Sequence, residues 1–340
     1  MLLDIVSLSA PQLIALALIV CAALWYRYTC ARDKYLSGGD DDRKTRHVAG
    51  RAPPRFPYLF PLVGSIPLGY LPNPKDFVLN PKNPFRAAYP TLVKLWKYDF
   101  YLVQGPENVK SMFEKSHLST SVPLLKYSVA DAFGLPAKGV ELYDKDDSGG
   151  NAVPHPDSNV EPRNRVDYNV HRSLLRLLEG PGFLRFYQRL QDNLTEHLYN
   201  LHDRLAGSGV EGELHDDMFA MFRDMYTVPT FNAFCGEYLL KLHPGFVDDF
   251  WKFDRDLQIY LQRVPWFLAP WAYATRKRAI NAVKDWHLYA RENYRDDPAK
   301  EIDDPFWGSF VFRERDNMMR EMDGYDDEAI ACQGFALIWA

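Results

Sequence analysis

The chain has 340 residues, of which 47% are hydrophobic, 25% charged and 14% aromatic, and its formal net charge is −5. That length allows one large domain or two ordinary ones, and the apolar and aromatic content is that of a globular protein with extensive buried surface. The mildly acidic balance gives no basis for a nucleic-acid partner, and four scattered cysteines (Cys21, Cys30, Cys235, Cys332) without a Cys-x-x-Cys spacing suit a reducing compartment.

In chain order, Ile5–Tyr26 is apolar apart from Ser7, Ser9 and Gln12. At ~1.5 Å per residue about 22 residues reach roughly 33 Å, enough to cross a bilayer. Trp25 and Tyr26 stand where an interfacial aromatic belt forms. Only Asp4 is charged before the segment, whereas Arg27, Arg32, Lys34, Arg43, Lys44 and Arg46 follow it. The positive-inside rule then places the body in the cytosol. A cleaved signal peptide is the alternative, since the densest core, Leu13–Leu24, is short; it lacks the basic leading region such peptides carry. Leu36–Arg51 is polar and mixed in charge, and reads as a flexible linker with Asp40–Asp42 in a solvated loop.

Arg51–Gly64 carries prolines at 53, 54, 57 and 61. Fixed φ and missing donors exclude helix interior or central strand. The stretch reads as a stiff spacer, with Gly64 freeing the backbone for a turn. Pro72–Pro90 contains three Asn-Pro pairs and suggests short helices and turns. Alternation in Leu92–Val103, interrupted near Lys97–Asp99, predicts a hairpin. Gly105-Pro106-Glu107 then predicts a helix start, and Val109, Met112 and Phe113 give that helix one apolar face.

Val122–Pro162 has little periodicity and much Gly, Pro and Asp, so it reads as a long loop. Asp144-x-Asp146-x-Ser148-Gly149 opens like a calcium loop, but its twelfth position is His155 instead of Glu. Beyond it nearly everything reads as helix: Val166–Leu178, an amphipathic stripe from Phe183 to Leu205, Met218–Leu240 interrupted by Pro229, then Gly245–Gln262 and Tyr273–Asp296. Gly207-x-Gly209-x-x-Gly212 matches a dinucleotide fingerprint by letter only, because it follows a helix and not a strand. The apolar link Pro265–Trp271 suits either a lid facing a membrane or ordinary packing between helices. Last, Asp326, Asp327 and Glu328 make an acidic helix start. Ile330–Ala340 after them is apolar on all sides except Gln333, so this helix is expected to be buried all round. With no C-cap and no polar exit, the sequence reads as cut within that helix.

Pro53-Pro54-x-x-Pro57-x-x-x-Pro61-x-x-Gly64 after an apolar anchor resembles the proline hinge of microsomal cytochromes P450; a generic Pro-rich linker is the alternative for the stretch alone. The downstream order of helix, hairpin, Gly-Pro-Glu helix, loop and helical body is similar to that fold, and Thr230–Gly236 resembles the end of one of its helices, with Cys235 in an aromatic position. The resemblance covers nearly the whole chain but roughly the first two-thirds of a P450, and is nearest to fungal members akin to the sterol 7α-hydroxylase and prostacyclin synthase group.

It implies a mainly α, incomplete P450 fold with a small N-terminal β-hairpin region and one transmembrane helix. The implied order is an anchor over 1–27, a basic linker and Pro-rich hinge over 28–64, and a partial catalytic domain over 65–340. The implied function is haem-thiolate monooxygenation of a lipophilic small molecule, using O2 and electrons from NADPH-cytochrome P450 reductase, at the endoplasmic reticulum membrane with membrane lipid as partner. The axial cysteine loop, Phe-x-x-Gly-x-x-x-Cys-x-Gly, is not matched by any of the four cysteines and is expected beyond Ala340, as are Glu-x-x-Arg and the acidic-Thr pair. This chain therefore has no catalytic or metal-ligating residue of its own, and by itself is expected to bind haem weakly or not at all. One cofactor contact is implied. Where P450s carry Trp-x-x-x-Arg toward a haem propionate, this chain has Tyr168-Asn-Val-His-Arg172, giving Tyr168 and Arg172 on one helix face with His171 as a second donor. A surface arginine on an amphipathic helix is the plain alternative. The remaining histidines (155, 197, 202, 215, 243, 287) show no metal spacing and read as solvated or core-edge. Two other classes stay open: a catalytically dead anchored decoy, and a secreted helical protein, for which glycosylation of Asn193-Leu-Thr195 discriminates.

Overall fold

The computed structural model describes residues 10–41, 53, 55–58, 90–95, 98–103, 105–114, 122–179, 181–208, 217–295 and 304–340. These fall into two compact units, Met1–Ser119 and Thr120–Ala340.

In the first unit, helix α1 spans Ala10–Asp41. Its Leu13–Arg32 stretch is long and apolar enough to cross a membrane by length and composition, and none of it is buried. The helix runs on past the expected span, so 36–41 is helical and not the flexible linker anticipated. Ala31, Arg32, Lys34 and Leu36 are good helix formers, whereas Gly38 and Gly39 beyond them are poor ones, so propensity does not account for the last turn. Residues 5–9, and most of the linker and hinge, lie outside the described residues. Within the hinge, Phe56 N donates to Leu92 O at 2.8 Å and Arg55 forms a parallel bridge to Leu92. Strands β1 (Thr91–Leu95) and β2 (Tyr98–Leu102) form the expected antiparallel hairpin, with Val93 opposite Phe100. Helix α2, Pro106–Glu114, starts where Gly105-Pro106-Glu107 predicts; Gly105 takes φ +88°.

The second unit is helical. The segment expected as one long loop is instead half helix: α3 (Val122–Tyr127), a π turn (Ser128–Ala132) and α4 (Ala137–Lys145) precede an irregular stretch that ends in a 3-10 turn at Pro162–Asn164. Each piece is too short to show a 3.6-residue period. Helix α5, Val166–Leu178, has the predicted bounds. Helix α6, Pro181–Ser208, follows; of its expected stripe Phe186 and Leu190 are half-buried while Phe183 and Tyr187 stay exposed. Helix α7, Met218–Cys235, is capped by Asp217, whose Oδ1 accepts from Phe219 N and Ala220 N, and Pro229 is buried inside it. It ends at Gly236 instead of continuing to Leu240, because Gly236 takes φ +71°.

Helices α8 (Tyr238–Leu242), α9 (Phe246–Arg255) and α10 (Leu257–Leu261) come next, so the expected single helix over 245–262 breaks at Asp256. Then come α11 (Pro270–Asn293), α12 (Phe310–Arg320) and α13 (Asp327–Trp339). Asp326 caps α13, accepting from Ala329 N at 2.9 Å. As expected, Ala329–Phe335, Leu337 and Ile338 are all buried. Phe335 sits in an aromatic cluster, 4.8 Å from Phe253 and 5.8 Å from Phe133 between centroids.

Two backbones cross at glycines. Gly308 takes φ +65° against Gly236, and Ser309 N donates to Phe234 O at 2.8 Å. A Cβ on Gly308 would lie 2.1 Å from Gly236 N and 2.3 Å from the Cys235 carbonyl carbon. The α10–α11 link projects outward: Trp266, Phe267, Leu268 and Trp271 are 56–67% exposed, which disfavours the packing alternative. The link is braced from behind, where Tyr273 Oη donates to Val264 O and Tyr260 Oη to Ala272 O, both at 2.6 Å.

Candidate functional site

Helix α5 carries the residues that the sequence singles out. Val166, Ser173 and Leu177 face inward, spaced at about two turns and then one. Position 168 is half-buried, whereas His171 and Arg172 are exposed. Tyr168 and Arg172 come together, with the Arg172 guanidinium 5.9 Å from the Tyr168 ring centroid. A second cation, not among the residues singled out by the sequence, is closer: Arg165 lies over the same ring at 4.3 Å. His171 sits on the adjacent line of the helix. Burial pushes the nearby Asp167 carboxyl up, with Asp146 adding to the rise and His171 opposing it.

Arg165 explains why the irregular stretch before α5 is ordered. Its guanidinium is buried and donates to Ser148 Oγ and Ala152 O at 3.0 Å, to Gly149 O at 3.3 Å, and to Asn151 O. A planar five-donor fork is the group that can hold four acceptors on one loop. Asp146 closes the other side: Oδ1 accepts from Ser148 N and Oγ, and Oδ2 accepts from Asp167 N at 3.2 Å. The carboxylate of the calcium-like motif is thus spent on the start of α5. Arg165→Ala leaves four loop acceptors without their donor. We expect cleavage after Asp157 by an acid-directed protease to speed up at least roughly tenfold, and Arg165→Lys to recover little, because a point charge cannot span the loop. Equal cleavage rates in wild type and variant would refute the clamp.

Below α5 lies a polar layer inside the core. Arg315 Nη1 donates to Ser173 Oγ at 2.7 Å and to Val170 O at 3.2 Å, tying α12 to α5. Burial lowers its pKa to about 10, so it remains a cation at neutral pH. Gln333, the polar exception in α13, donates to Tyr143 Oη at 2.9 Å and Tyr325 Oη at 3.1 Å. Desolvation raises the pKa of both phenols, which therefore stay neutral.

A second buried group is unexpected. His287 is 3% exposed, not core-edge, and its ring is boxed by Trp286, Trp307 and Phe312. Neither ring nitrogen has a hydrogen-bond partner. Asp316 is 3.6 Å from Nδ1 but already takes a bidentate pair from Arg291, at 2.8 and 2.6 Å, while Arg291 Nη1 reaches Asp327 at 2.5 Å. Burial lowers the His287 pKa to about 3. Among the other histidines, His243 lies 3.4 Å from Asp285, and His215 lies outside the described residues.

Haem demands an axial ligand and counter-ions for its propionates. For the second, the residues fit: Arg172 and His171 make no hydrogen bond or ion pair among the described residues, so their donors remain available to a carboxylate. For the first, they do not. Cys235 and Cys332 are buried, burial pushes both thiols up (Cys332 to about 12), and both are protonated at neutral pH. Cys21 and Cys30 lie on α1, and no group of three metal-ligating side chains occurs among the described residues.

Comparison with known proteins points to one class: the chain is similar to a fungal cytochrome P450 monooxygenase, which supports the P450 family for it. The relative is cytochrome P450 monooxygenase fsoE of Humicola fuscoatra, 26% identical over 295 residues, an alignment covering 85% of this chain and 48% of that protein. The chain thus spans about half the length of the curated relative it matches. No protein-family profile matches the chain, and no solved structure matches it. The mainly helical architecture with one small hairpin is consistent with a P450 fold.

Proposed function

We propose that this chain is the N-terminal part of a membrane-anchored haem-thiolate monooxygenase, whose complete form hydroxylates a lipophilic molecule with O2 and reductase-supplied electrons. The observation carrying this is the alignment to the Humicola monooxygenase along 85% of the chain, read with the order of apolar helix, proline-rich stretch, hairpin and helical body. In the complete protein haem supplies the oxygen chemistry when bound. Arg172 would hold its propionate edge by a charge-assisted hydrogen bond, with His171 as a second donor and Tyr168, between Arg165 and Arg172, beside them. The finer assignment, near the sterol 7α-hydroxylase and prostacyclin synthase group, rests on sequence resemblance alone.

The cytosolic body at the endoplasmic reticulum is part of the same reading. The apolar α1 supports it, as does the outward knuckle of Trp266, Phe267, Leu268 and Trp271, whose two amphipathic indoles beside apolar Phe267 and Leu268 suit a lipid interface. Asn193 sits inside α6, half-buried, with its amide donating to Arg189 O at 2.8 Å; a glycan found on it by mass spectrometry would favour the secreted alternative over this reading. The test is the transcript beyond the codon for Ala340, followed by the spectrum of the protein it encodes. We expect an open frame running into Glu-x-x-Arg and the cysteine loop, whose product gives a thiolate-type band on reduction with CO, while the 340-residue chain gives none. A stop codon directly after Ala340 in mature message would withdraw the enzyme assignment and leave an anchored protein without haem chemistry.

A further inference from the structure

We propose that the cavity of about 450 Å³ bounded by Arg291, Arg313, Asn317 and Arg320 is a binding site for a small multivalent oxyanion of the phosphate-ester kind. The inference stands apart from the monooxygenase reading. Arg313, Asn317 and Arg320 recur at i, i+4 and i+7 on α12, so they form one stripe along the helix, and Arg291 faces them from α11. The stripe offers two guanidinium forks with an amide donor between them, the donor set that phosphate oxygens accept.

The carboxylates around this stripe bond directly to other groups, which leaves donors on the stripe unused. Asp316 and Asp327 are both taken by Arg291. Glu314 also lines the cavity, but it is paired with Arg176 at 3.0 Å. Arg313 contacts the Tyr294 hydroxyl, stacks on its ring at 4.5 Å, and has one carboxylate, Asp304, no nearer than 3.8 Å. Arg320 is exposed and makes no direct hydrogen bond or ion pair among the described residues, although its charge reaches Asp316 and Asp327 and favours the ionised form of both. Two arginines with spare donors therefore open on one concavity, with Trp307 in its lining. A dianion there satisfies both forks, which two separate chloride ions do less well.

The probe is inorganic pyrophosphate, titrated into the full chain in detergent at constant ionic strength set with sodium chloride, and read by thermal midpoint and tryptophan fluorescence. The expected result is a saturable rise in midpoint. Arg313→Ala/Arg320→Ala should weaken the apparent affinity by about ten- to a hundredfold, each fork supplying charge-assisted hydrogen bonds. Asn317→Phe, which fills the cavity without changing charge, should do the same, and keeps the test decisive if the double variant misfolds. Lys277→Ala, exposed elsewhere on α11, should bind as wild type. No midpoint shift in wild type overturns the proposal. So do equal losses with Lys277→Ala, which would indicate general charge screening, and unchanged binding in Asn317→Phe.

Discussion

Gly308→Ala should abolish folding of the helical unit, and we expect no cooperative unfolding transition from the purified variant. The added Cβ lies 2.1 Å from Gly236 N, 2.3 Å from the Cys235 carbonyl carbon and 2.8 Å from Phe234 O. All three are backbone atoms, so no side-chain rotation relieves the overlap. The residue also sits at φ +65°, which costs an alanine a further ~1 kcal/mol or more. Moving the segment aside breaks Ser309 N to Phe234 O and unseats Asp304, whose Oδ1 accepts from Phe306 N and Trp307 N. The sum exceeds ~4–5 kcal/mol, a large share of the stability of an ordinary domain. Gly207→Ala is the control: nothing lies within 4 Å of its added Cβ, and near the end of α6 alanine should be neutral or stabilise by up to ~1 kcal/mol. Wild-type-like melting of Gly308→Ala would mean that the two backbones do not cross as described.

The second large effect is acid lability through His287. Its pKa in the folded unit is about 3, against the ordinary 6.5 it regains on unfolding. Above pH 6.5 neither state binds a proton there and the residue contributes no pH dependence. Below it the unfolded chain takes up a proton that the folded unit excludes, so stability falls as pH drops from 6.5 toward 3. The slope is ~1.4 kcal/mol per pH unit, about 2 kcal/mol at pH 5 and roughly 4–5 kcal/mol near pH 3. His287→Leu removes the titration and two unpartnered ring nitrogens at nearly constant volume. In urea unfolding at pH 7 the variant should match or exceed wild type, and its advantage should grow by about 2 kcal/mol on going to pH 5. Parallel pH profiles for the two proteins would show that His287 is solvated or paired.

How legible these features were in the sequence depends on the range of the interactions that decide them. Helix α13 was legible because burial on all sides leaves a uniform apolar run, and α5 because its inward face repeats at helical spacing. The hairpin was legible from alternation alone. The segment 122–165 was not, since its helices are six to nine residues long and its order comes from Arg165, one side chain reaching back over 13 to 17 positions. Tyr168 and Arg172 were legible as a pair through i, i+4 spacing; Arg165 beside them was not, lying before the helix start. Nothing local marks Gly308 as meeting Gly236, 72 residues earlier in the chain. His287 looks like any helix histidine until α12 and the Trp307 turn close its box.

The burial of α13 also bears on how the protein is made. Its neighbours, Phe133, Tyr143, Phe253 and the α11 face, are synthesised some 50 to 200 residues earlier, and none can complete its packing until Asp327–Trp339 has been made. Long-range closure of this kind is slow, and the waiting intermediate exposes aromatic surface. On the ribosome the aromatic faces that α13 covers therefore stay open until that helix has been made.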